Sequence, residues 1–228
     1  MGGSLPAALA ADWLAAAWDQ NAGIYALSPL VSVIEQITGS WLRELAGLPP
    51  LMSFGFVTGG QMANFTGSAS ARHRVLSNAG WDVEANGLFG APSIDVVVSE
   101  EAHYTIGMAL RLLGLGANRV RRIPTDLQGR MQAGDLSTVL SGSSAPCIVC
   151  AQAGNVNTGA VDPLREIAEA TKERGAWLHV DGAFGLWAAA GSAERAALVR
   201  GIELADSIAT DAQMAERSLR LRYRLLCR

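Results

Sequence analysis

The sequence has little of several residue types that would point to a particular class of protein. It contains a single lysine, Lys172, and charged residues make up only 17% of its 228 positions, with a formal net charge of -3. A net charge this small and negative gives no electrostatic reason to bind nucleic acid or an anionic membrane. We therefore expect the partner to be a small-molecule substrate, with no nucleic acid and no membrane.

Long hydrophobic runs are also missing. No run of about 18 residues is uninterruptedly apolar, and the alanine-rich start is broken by Asp12 with no basic residue before it, so we expect neither a membrane span nor a signal peptide. The cysteines are odd in number, and Cys147 and Cys150 would point to opposite faces of a strand. We predict reduced core thiols rather than a metal pair, in a cytoplasmic protein.

Short β-rich runs alternate with longer helical patterns, which is typical of an α/β protein. Hydrophobic spacing predicts two leading helices over residues 7–21 and 31–46. The predicted strands are 53–57, 94–98, 119–123, 147–151, 176–180 and 207–210, with helices over 60–79, 103–113 and 163–174 between them. The pattern indicates a mostly parallel, doubly wound sheet whose strand ends gather ligand-binding loops.

A glycine pair follows the first predicted strand, at the turn into the next helix. Gly59 and Gly60 precede Gln61 in the run TGGQMAN, which starts at Thr58. Glycines let backbone N–H groups approach an anion closely, and a helix start supplies unsatisfied donors and a favourable dipole. The turn therefore fits a phosphate, although an ordinary tight turn has the same sequence.

A carboxylate ends the predicted strand at residues 176–180. Asp181 follows the run WLHV, where the chain leaves the sheet. Paired with a pyridine nitrogen, such a carboxylate keeps the ring protonated and strengthens it as an electron sink. The alternatives are a helix N-cap and a structural ion pair.

Two more predicted loops carry candidate site residues. His103 follows the second strand and is the histidine placed to lie on an aromatic cofactor, unless it is merely exposed; His73 on a helix and His179 within a strand fit packing or core hydrogen bonds better. Asn155 lies in a loop rich in small and amide side chains. That loop fits a ring or a carboxylate, or else an ordinary polar turn before a helix that Asp162 and Pro163 begin.

Taken together, these segments resemble the group II pyridoxal-dependent decarboxylases, the family of the aromatic amino-acid, glutamate and cysteine-sulfinate decarboxylases. The resemblance covers residues 1 to about 211. It rests on the motifs FVTGG at 56–60, SEEAH at 99–103, NVNTG at 155–159, HVDGA at 179–183 and ADSIATD at 205–211. It implies the large domain of fold-type I pyridoxal enzymes, which are typically homodimers.

The resemblance also implies a cofactor, pyridoxal 5'-phosphate, and a reaction, loss of carbon dioxide from an amino acid. In the family, His103 would stack on the pyridine ring and act in catalysis, and Asp181 would pair with the ring nitrogen. The other implied cofactor-binding residues are Gly60 and Gln61 at the phosphate, Asn155 and Ala183 around the ring, and Asp211 at the end of the last motif.

The resemblance breaks after Ala212. The family continues into His-Lys-Trp, whose lysine forms the Schiff base, whereas this chain reads Gln213, Met214 and Ala215. We expect Lys172 to lie on a solvated helix face, out of reach of the cofactor. The sequence therefore predicts a chain that is catalytically inactive.

The last residues are rich in arginine, and we interpret them as the product of a shifted reading frame. With suitable codons, a neighbouring frame of residues 214–227 spells WLNVPYDCGIAFC, which looks like the family's continuation. The alternative is an amphipathic basic helix that binds a partner. We expect an N-terminal helical segment at 1–50, a partial cofactor domain at 51–212, a divergent tail at 213–228 and a copy incomplete at both ends.

Two rival functions remain open from the sequence. One is another fold-type I reaction, such as transamination, aldol cleavage or a different lyase reaction. The other is a lysine-free pseudoenzyme that binds a partner or cofactor without catalysis. The sequence does not identify the amino acid that serves as substrate.

Overall fold

The computed structural model describes residues 5–212. Within this range the chain forms two compact units. The larger is Val57–Asp211, and the smaller comprises residues 5–56 and Ala212. The division into 1–50, 51–212 and 213–228 stays a prediction, and the tail, with Met214, lies outside the described residues.

Helices and strands alternate along the larger unit, as the sequence predicts. The α-helices are α1 (Pro6–Trp18), α2 (Pro29–Leu45), α3 (Gly60–Asn78), α4 (Val83–Asn86), α5 (Tyr104–Leu112), α6 (Ala133–Ser141), α7 (Leu164–Arg174) and α8 (Ala193–Ala196). The strands are β1 (Asp95–Ser99), β2 (Arg121–Ile123), β3 (Cys147–Gln152), β4 (Trp177–Asp181) and β5 (Ser207–Ala209). Short 3-10 helices span Ala117–Arg119, Gly185–Ala190, Ala197–Val199 and Ile202–Leu204.

The described strands form one sheet in the order β2-β1-β3-β4-β5, and every pairing in it is parallel. Parallel neighbours need crossover connections, which the helices supply. The order changes direction between β1 and β3, and loops at the carboxyl ends beside such a point form ligand sites in open α/β sheets. The α/β, doubly wound fold is therefore confirmed.

Helices cover both faces of the sheet, which explains why β3 is buried along its whole length. On one face, α3 and α5 pack against β1 and β3 through a core of Ala71, Val75, Val96, Val98, Ile106, Leu110, Ile148 and Cys150. On the other face lie α6 and α7, whose buried side chains include Leu136, Leu140 and Ile167. Cys147 and Cys150 are free and buried, on opposite faces, as predicted.

The smaller unit is held by contacts between α2 and the segment that follows it. Gly39 is buried because the Phe54 ring lies against its backbone, where a Cβ would overlap the ring. Arg43 donates a hydrogen bond of 3.0 Å to the Met52 carbonyl, and Phe54 meets Phe56 edge to face at 6.1 Å. These contacts fix the course of the chain leading to the larger unit.

Helix α1 buries none of its residues, although its sequence is largely apolar. Leu9 and Trp13 are 44% and 66% exposed. None of the helices within residues 5–212 is both long enough and apolar enough to cross a membrane.

Two local predictions are wrong. Residues 53–57 form no strand, because no other strand of the described chain pairs with them, and an extended segment without a partner has no hydrogen-bond ladder. Asp162 does not cap α7; its carboxylate accepts hydrogen bonds from Met131 and Gln152 instead, and Pro163 takes the N-cap position. Helices α4, α6 and α8 have no counterpart in the prediction.

Candidate cofactor site at the carboxyl edge of the sheet

The predicted site residues gather where the parallel strands end. His103 follows β1, Asn155 follows β3, and Asp181 is the last residue of β4. The backbone N–H of His103 donates to Gln152 Oε1 at 3.2 Å, and Gln152 pairs with Asp181 in the ladder. Strand direction thus brings together residues that are far apart in the sequence.

Asp181 is a buried carboxylate with both oxygens engaged. Oδ2 accepts a hydrogen bond of 2.9 Å from Asn64 Nδ2, and Oδ1 accepts one of 3.2 Å from the backbone N–H of Ala183. Only 4% of the residue is exposed. Since each carboxylate oxygen has a second acceptor site, the group remains able to bind one more N–H donor.

Helix α3 points its first turn at the same edge. Gly59 has φ 111°, a value that favours glycine, and Gly60 begins the helix. Helix starts leave backbone donors without intrahelical acceptors, which suits an anion. The side-chain amide of Gln61 donates to the Thr105 carbonyl at 3.2 Å, which holds this side chain at the start of α5 and leaves the backbone N–H of Gln61 for such an anion.

Asp211 lies beside this helix start. A Cβ built at Gly60 would be 3.4 Å from Asp211 Oδ2, and the backbone N–H of Asp211 donates to the Ala183 carbonyl at 3.0 Å. Trp187 Nε1 donates to the Asp211 carbonyl at 3.2 Å. The backbone of Asp211 therefore orders the loop that carries Ala183, while its carboxylate adds negative charge near Gly60.

His103 is partly buried at the start of α5. Its Nδ1 lies 2.8 Å from Thr105 Oγ1, and its ring centroid is 4.5 Å from that of Tyr104. Tyr104 is largely exposed. The imidazole is thus held at one nitrogen in the loop where the sequence predicts a ring-stacking histidine.

Asn155 is almost fully buried, and part of its amide has no partner. Oδ1 accepts hydrogen bonds from the backbone of Asn157 and Thr158, at 2.8 and 3.2 Å, whereas Nδ2 has no hydrogen bond in the structure. An unpaired buried donor costs about 1–3 kcal/mol. A ligand with an acceptor atom at this edge would relieve that cost, so the donor set here fits a pyridoxal phosphate with its ring hydroxyl and phosphate oxygens.

Burial shifts the pKa of several groups in the sheet and in the loop at its carboxyl edge. Burial lowers the pKa of His179, and the nearby Asp181 opposes that shift. Burial raises the pKa of Asp162 to about 6 against the effect of its two backbone hydrogen bonds. Burial also raises the pKa of Cys147 to about 11 and that of Cys150 to about 12.

Lys172 does not belong to this site. Helix α7 begins near the carboxyl edge and runs back towards the start of β4, so its last turn lies at the opposite edge of the sheet. Lys172 is exposed on that last turn, as the sequence predicts.

Sequence analysis did not identify two buried residues, Asn64 and Thr105, that form hydrogen bonds to the candidate site residues. Asn64 and Thr105 bond to each other at 3.1 Å, and Asn64 also bonds to His179 and Asp181. Asn64 is 117 positions from Asp181, and no local pattern marks such a contact. A buried amide one turn after a glycine-rich helix start was the available signal.

Comparison with known proteins agrees with this geometry. Residues 1–214 match the model of the pyridoxal-dependent decarboxylase conserved domain. An aromatic-L-amino-acid decarboxylase of Bacillus atrophaeus is 32% identical over 88% of the chain, and the mouse acidic amino acid decarboxylase GADL1 is 33% identical over the same share. The chain covers 40% and 36% of those proteins.

Solved structures show the same relationship. The crystal structure of mouse CSAD aligns with a TM-score of 0.82 and 31% identity over 91% of this chain and 44% of CSAD. The glutamate decarboxylase domain of a Vibrio parahaemolyticus protein aligns with a TM-score of 0.85 and 27% identity over 93% of this chain and 47% of that one. The chain spans less than half of these relatives, and it belongs to the pyridoxal-dependent decarboxylase family.

Proposed function

We propose that the carboxyl edge of the sheet binds pyridoxal 5'-phosphate, and that the intact form of this protein removes carbon dioxide from an amino acid. The observation that carries the proposal is Asp181, a buried carboxylate at the carboxyl edge that is held by hydrogen bonds from Asn64 and Ala183. When bound, pyridoxal phosphate would supply an electron sink for the carbon that loses its carboxyl group.

We assign each part of this cofactor to a different group of residues. Asp181 holds a proton at the ring nitrogen, because an ionised carboxylate favours the charged pyridinium. Backbone N–H groups of Gly60 and Gln61 bind the phosphate at the helix start. His103 lies against the ring face, and Asn155 donates its unpaired Nδ2 hydrogens.

Ala183 and Asp211 complete the proposed site from one loop. Ala183 has a methyl side chain and leaves room beside Asp181 for a flat ring. Asp211 acts through its backbone, which positions Ala183, since a carboxylate next to the phosphate is electrostatically unfavourable.

The chain itself is proposed to be inactive. Met214 occupies the position expected for the Schiff-base lysine, and Lys172 is at the far edge of the sheet. We attribute the replacement to a shifted reading frame. Sequencing the gene across codons 206–228 tests this directly: a neighbouring frame that encodes HKWLN supports the shift, and a frame without it makes Met214 a genuine replacement.

Cofactor binding is tested by titrating the purified full chain with pyridoxal phosphate and following its absorbance, then treating the complex with borohydride. We expect reversible binding and no pyridoxyl group fixed on Lys172. Asp181→Asn keeps the shape of the side chain but loses its charge, and we expect affinity to fall about 10-fold to 100-fold.

Asp135→Asn, an exposed carboxylate on α6, is the matched control and should bind like the wild type. Equal affinity of the wild type and Asp181→Asn would contradict the proposed role of Asp181. A pyridoxyl adduct mapped to Lys172 would contradict the proposed inactivity.

The proposed substrate is a small molecule, an amino acid, and the proposed assembly is a homodimer in the cytoplasm. The exposed apolar side chains of α1 support the homodimer, because monomers rarely leave so much apolar surface uncovered. The buried free thiols of Cys147 and Cys150 support a reducing compartment.

A further inference from the structure

A continuous line of hydrogen bonds runs behind the site, from β4 to His103. Trp177 Nε1 donates to Ser207 Oγ at 2.9 Å, and Ser207 Oγ lies 2.8 Å from His179 Nδ1. His179 Nε2 lies 2.9 Å from Asn64 Oδ1. Asn64 Nδ2 reaches Thr105 Oγ1 at 3.1 Å, and Thr105 Oγ1 lies 2.8 Å from His103 Nδ1.

The Trp177 indole at one end of this line and Asp181, which is bonded to Asn64 in its middle, determine the direction of the hydrogen bonds around His179. Asp181 is an acceptor when ionised, so Asn64 must turn its Nδ2 towards Asp181 and its Oδ1 towards His179. Oδ1 has no hydrogen, and His179 therefore carries its proton on Nε2. The indole of Trp177 only donates, so Ser207 accepts from it and gives its own hydrogen to His179 Nδ1.

The hydrogen bonds at the two ring nitrogens of His179 are consistent with each other, because Nε2 donates to Asn64 and Nδ1 accepts from Ser207. His179 must therefore be a neutral imidazole. His179 is fully buried, and burial lowers its pKa, so the neutral form prevails at neutral pH. Its ring also fills the space next to Gly67, where a Cβ would come within 2.5 Å of Cε1.

We infer that Asn64 and Thr105 are positioning residues that fix His103 as the tautomer protonated on Nε2. Thr105 Oγ1 already accepts a hydrogen bond from Asn64, and its own hydrogen has His103 Nδ1 as its acceptor. A proton on Nδ1 would leave the Thr105 hydroxyl hydrogen without an acceptor in a buried place. We expect this cost to favour the Nε2–H tautomer by about tenfold or more.

The consequence for the site rests on the proposed function. With Nδ1 engaged by Thr105, the proton of His103 is at Nε2, the nitrogen that remains for an anionic group such as a substrate carboxylate. Asn64 thereby connects two parts of the site. Its side-chain amide donates to Asp181 and also to the Thr105 hydroxyl, and that hydroxyl in turn orients His103.

The test is a multiple-bond proton–nitrogen correlation spectrum of the full chain labelled with nitrogen-15 histidine. The sequence has three histidines, so each ring can be assigned by single substitution. We expect His179 and His103 to give the Nε2–H pattern, with exposed His73 as the reference. A dominant Nδ1–H pattern at His103 in the wild type would overturn the inference before any variant is made.

Thr105→Val removes the hydroxyl and keeps the shape, and Thr105→Ser restores it. We expect the Val variant to populate both tautomers of His103 while His179 keeps its pattern, and the Ser variant to return His103 to Nε2–H. An unchanged His103 pattern in Thr105→Val would also overturn the inference.

The measurement needs no cofactor, so it separates the two proposals. If pyridoxal phosphate does not bind and His103 is nevertheless the Nε2–H tautomer, only the proposed function fails. If the cofactor binds and His103 is a mixture of tautomers in the wild type, only the positioning role of Thr105 and Asn64 fails.

Discussion

Asp162 connects three parts of the larger unit through a single carboxylate. Oδ1 accepts from the backbone of Met131 and Oδ2 from that of Gln152, each at 2.8 Å, and the residue itself directly precedes α7 and its N-cap. Gln152 in turn accepts from His103. A structural carboxylate thus supports the loop that carries the candidate ring-stacking histidine.

The raised pKa of Asp162 makes a prediction for stability against pH. Its pKa rises from 3.8 in the unfolded reference to about 6 when folded, so the folded chain binds this proton more tightly. The contribution of Asp162 to the free energy of unfolding should therefore fall as pH rises from about 4 to 6, by a total of about 3 kcal/mol. Urea unfolding across this range measures it.

Asp162→Asn cannot titrate and serves as the reference for that measurement. The wild type should gain stability relative to this variant on acidification. If the free energies of unfolding of the two changed in parallel with pH, the pKa of Asp162 would not be raised by burial. Glu169→Gln, an exposed carboxylate on α7, should follow the wild-type curve.

The two buried thiols should be unreactive in the native chain. A thiol with a pKa near 11, as for Cys147, is about one part in a thousand thiolate at pH 8, and Cys150 is less ionised still. We expect iodoacetamide to leave both unmodified until the chain is denatured, as read by mass spectrometry of their peptides. Rapid native labelling of either would contradict the packing of β3.

At the scale of single elements, two helical glycines have opposite surroundings. A Cβ at Gly67 in α3 would lie 2.5 Å from the His179 ring, whereas a Cβ at Gly107 in α5 would have nothing within 4 Å. We expect Gly67→Ala to destabilise the chain by about 1–3 kcal/mol through overpacking. Gly107→Ala should instead stabilise it, by up to about 1 kcal/mol of helix propensity.

Denaturant unfolding of this matched pair tests the packing of α3 against β4. A neutral Gly67→Ala would mean that His179 can move aside. It would also predict a changed tautomer at His179, which connects this measurement to the spectrum described above.

Much of the element structure follows from local sequence signals. Apolar β-rich runs predict β1 to β5 to within about two residues, because buried parallel strands are continuously hydrophobic. Residues 53–57 have the same kind of run but no partner in the described chain, and a local pattern does not contain that information. Helix α6 was not predicted, because its buried residues Leu136 and Leu140 are few and lie among glycine, serine and threonine.

The candidate site also contains residues that local sequence signals predict and residues that they do not. The location of His103, Asn155 and Asp181 is predictable because each lies at the end of a strand or in the loop after it, and parallel strands end at one edge. Asn64 and Thr105 are not, since their roles depend on contacts 41 and 117 residues away in the sequence.

At the scale of the whole molecule, the exposed face of α1 makes a prediction for association. Trp13 and Trp18 are 66% and 53% exposed, and the helix buries no residue. We expect the wild type to self-associate in sedimentation velocity experiments, and the double variant Trp13→Glu and Trp18→Glu to shift towards monomer. Leu127→Glu, which replaces a fully exposed side chain on a loop of the larger unit, should leave association unchanged.

The parallel sheet also has a consequence for how the chain acquires its structure. Every ladder in the sheet of the described residues joins strands separated by a crossover, so none of these ladders forms from a local hairpin, and such topologies fold slowly. During synthesis, β4 emerges before β5 and stays an open edge until Ser207–Ala209 docks beside it. Asp181 pairs with Ala209 in this ladder, so the end of β4 that carries this candidate site residue is paired on both sides only after the last strand of the described sheet has formed.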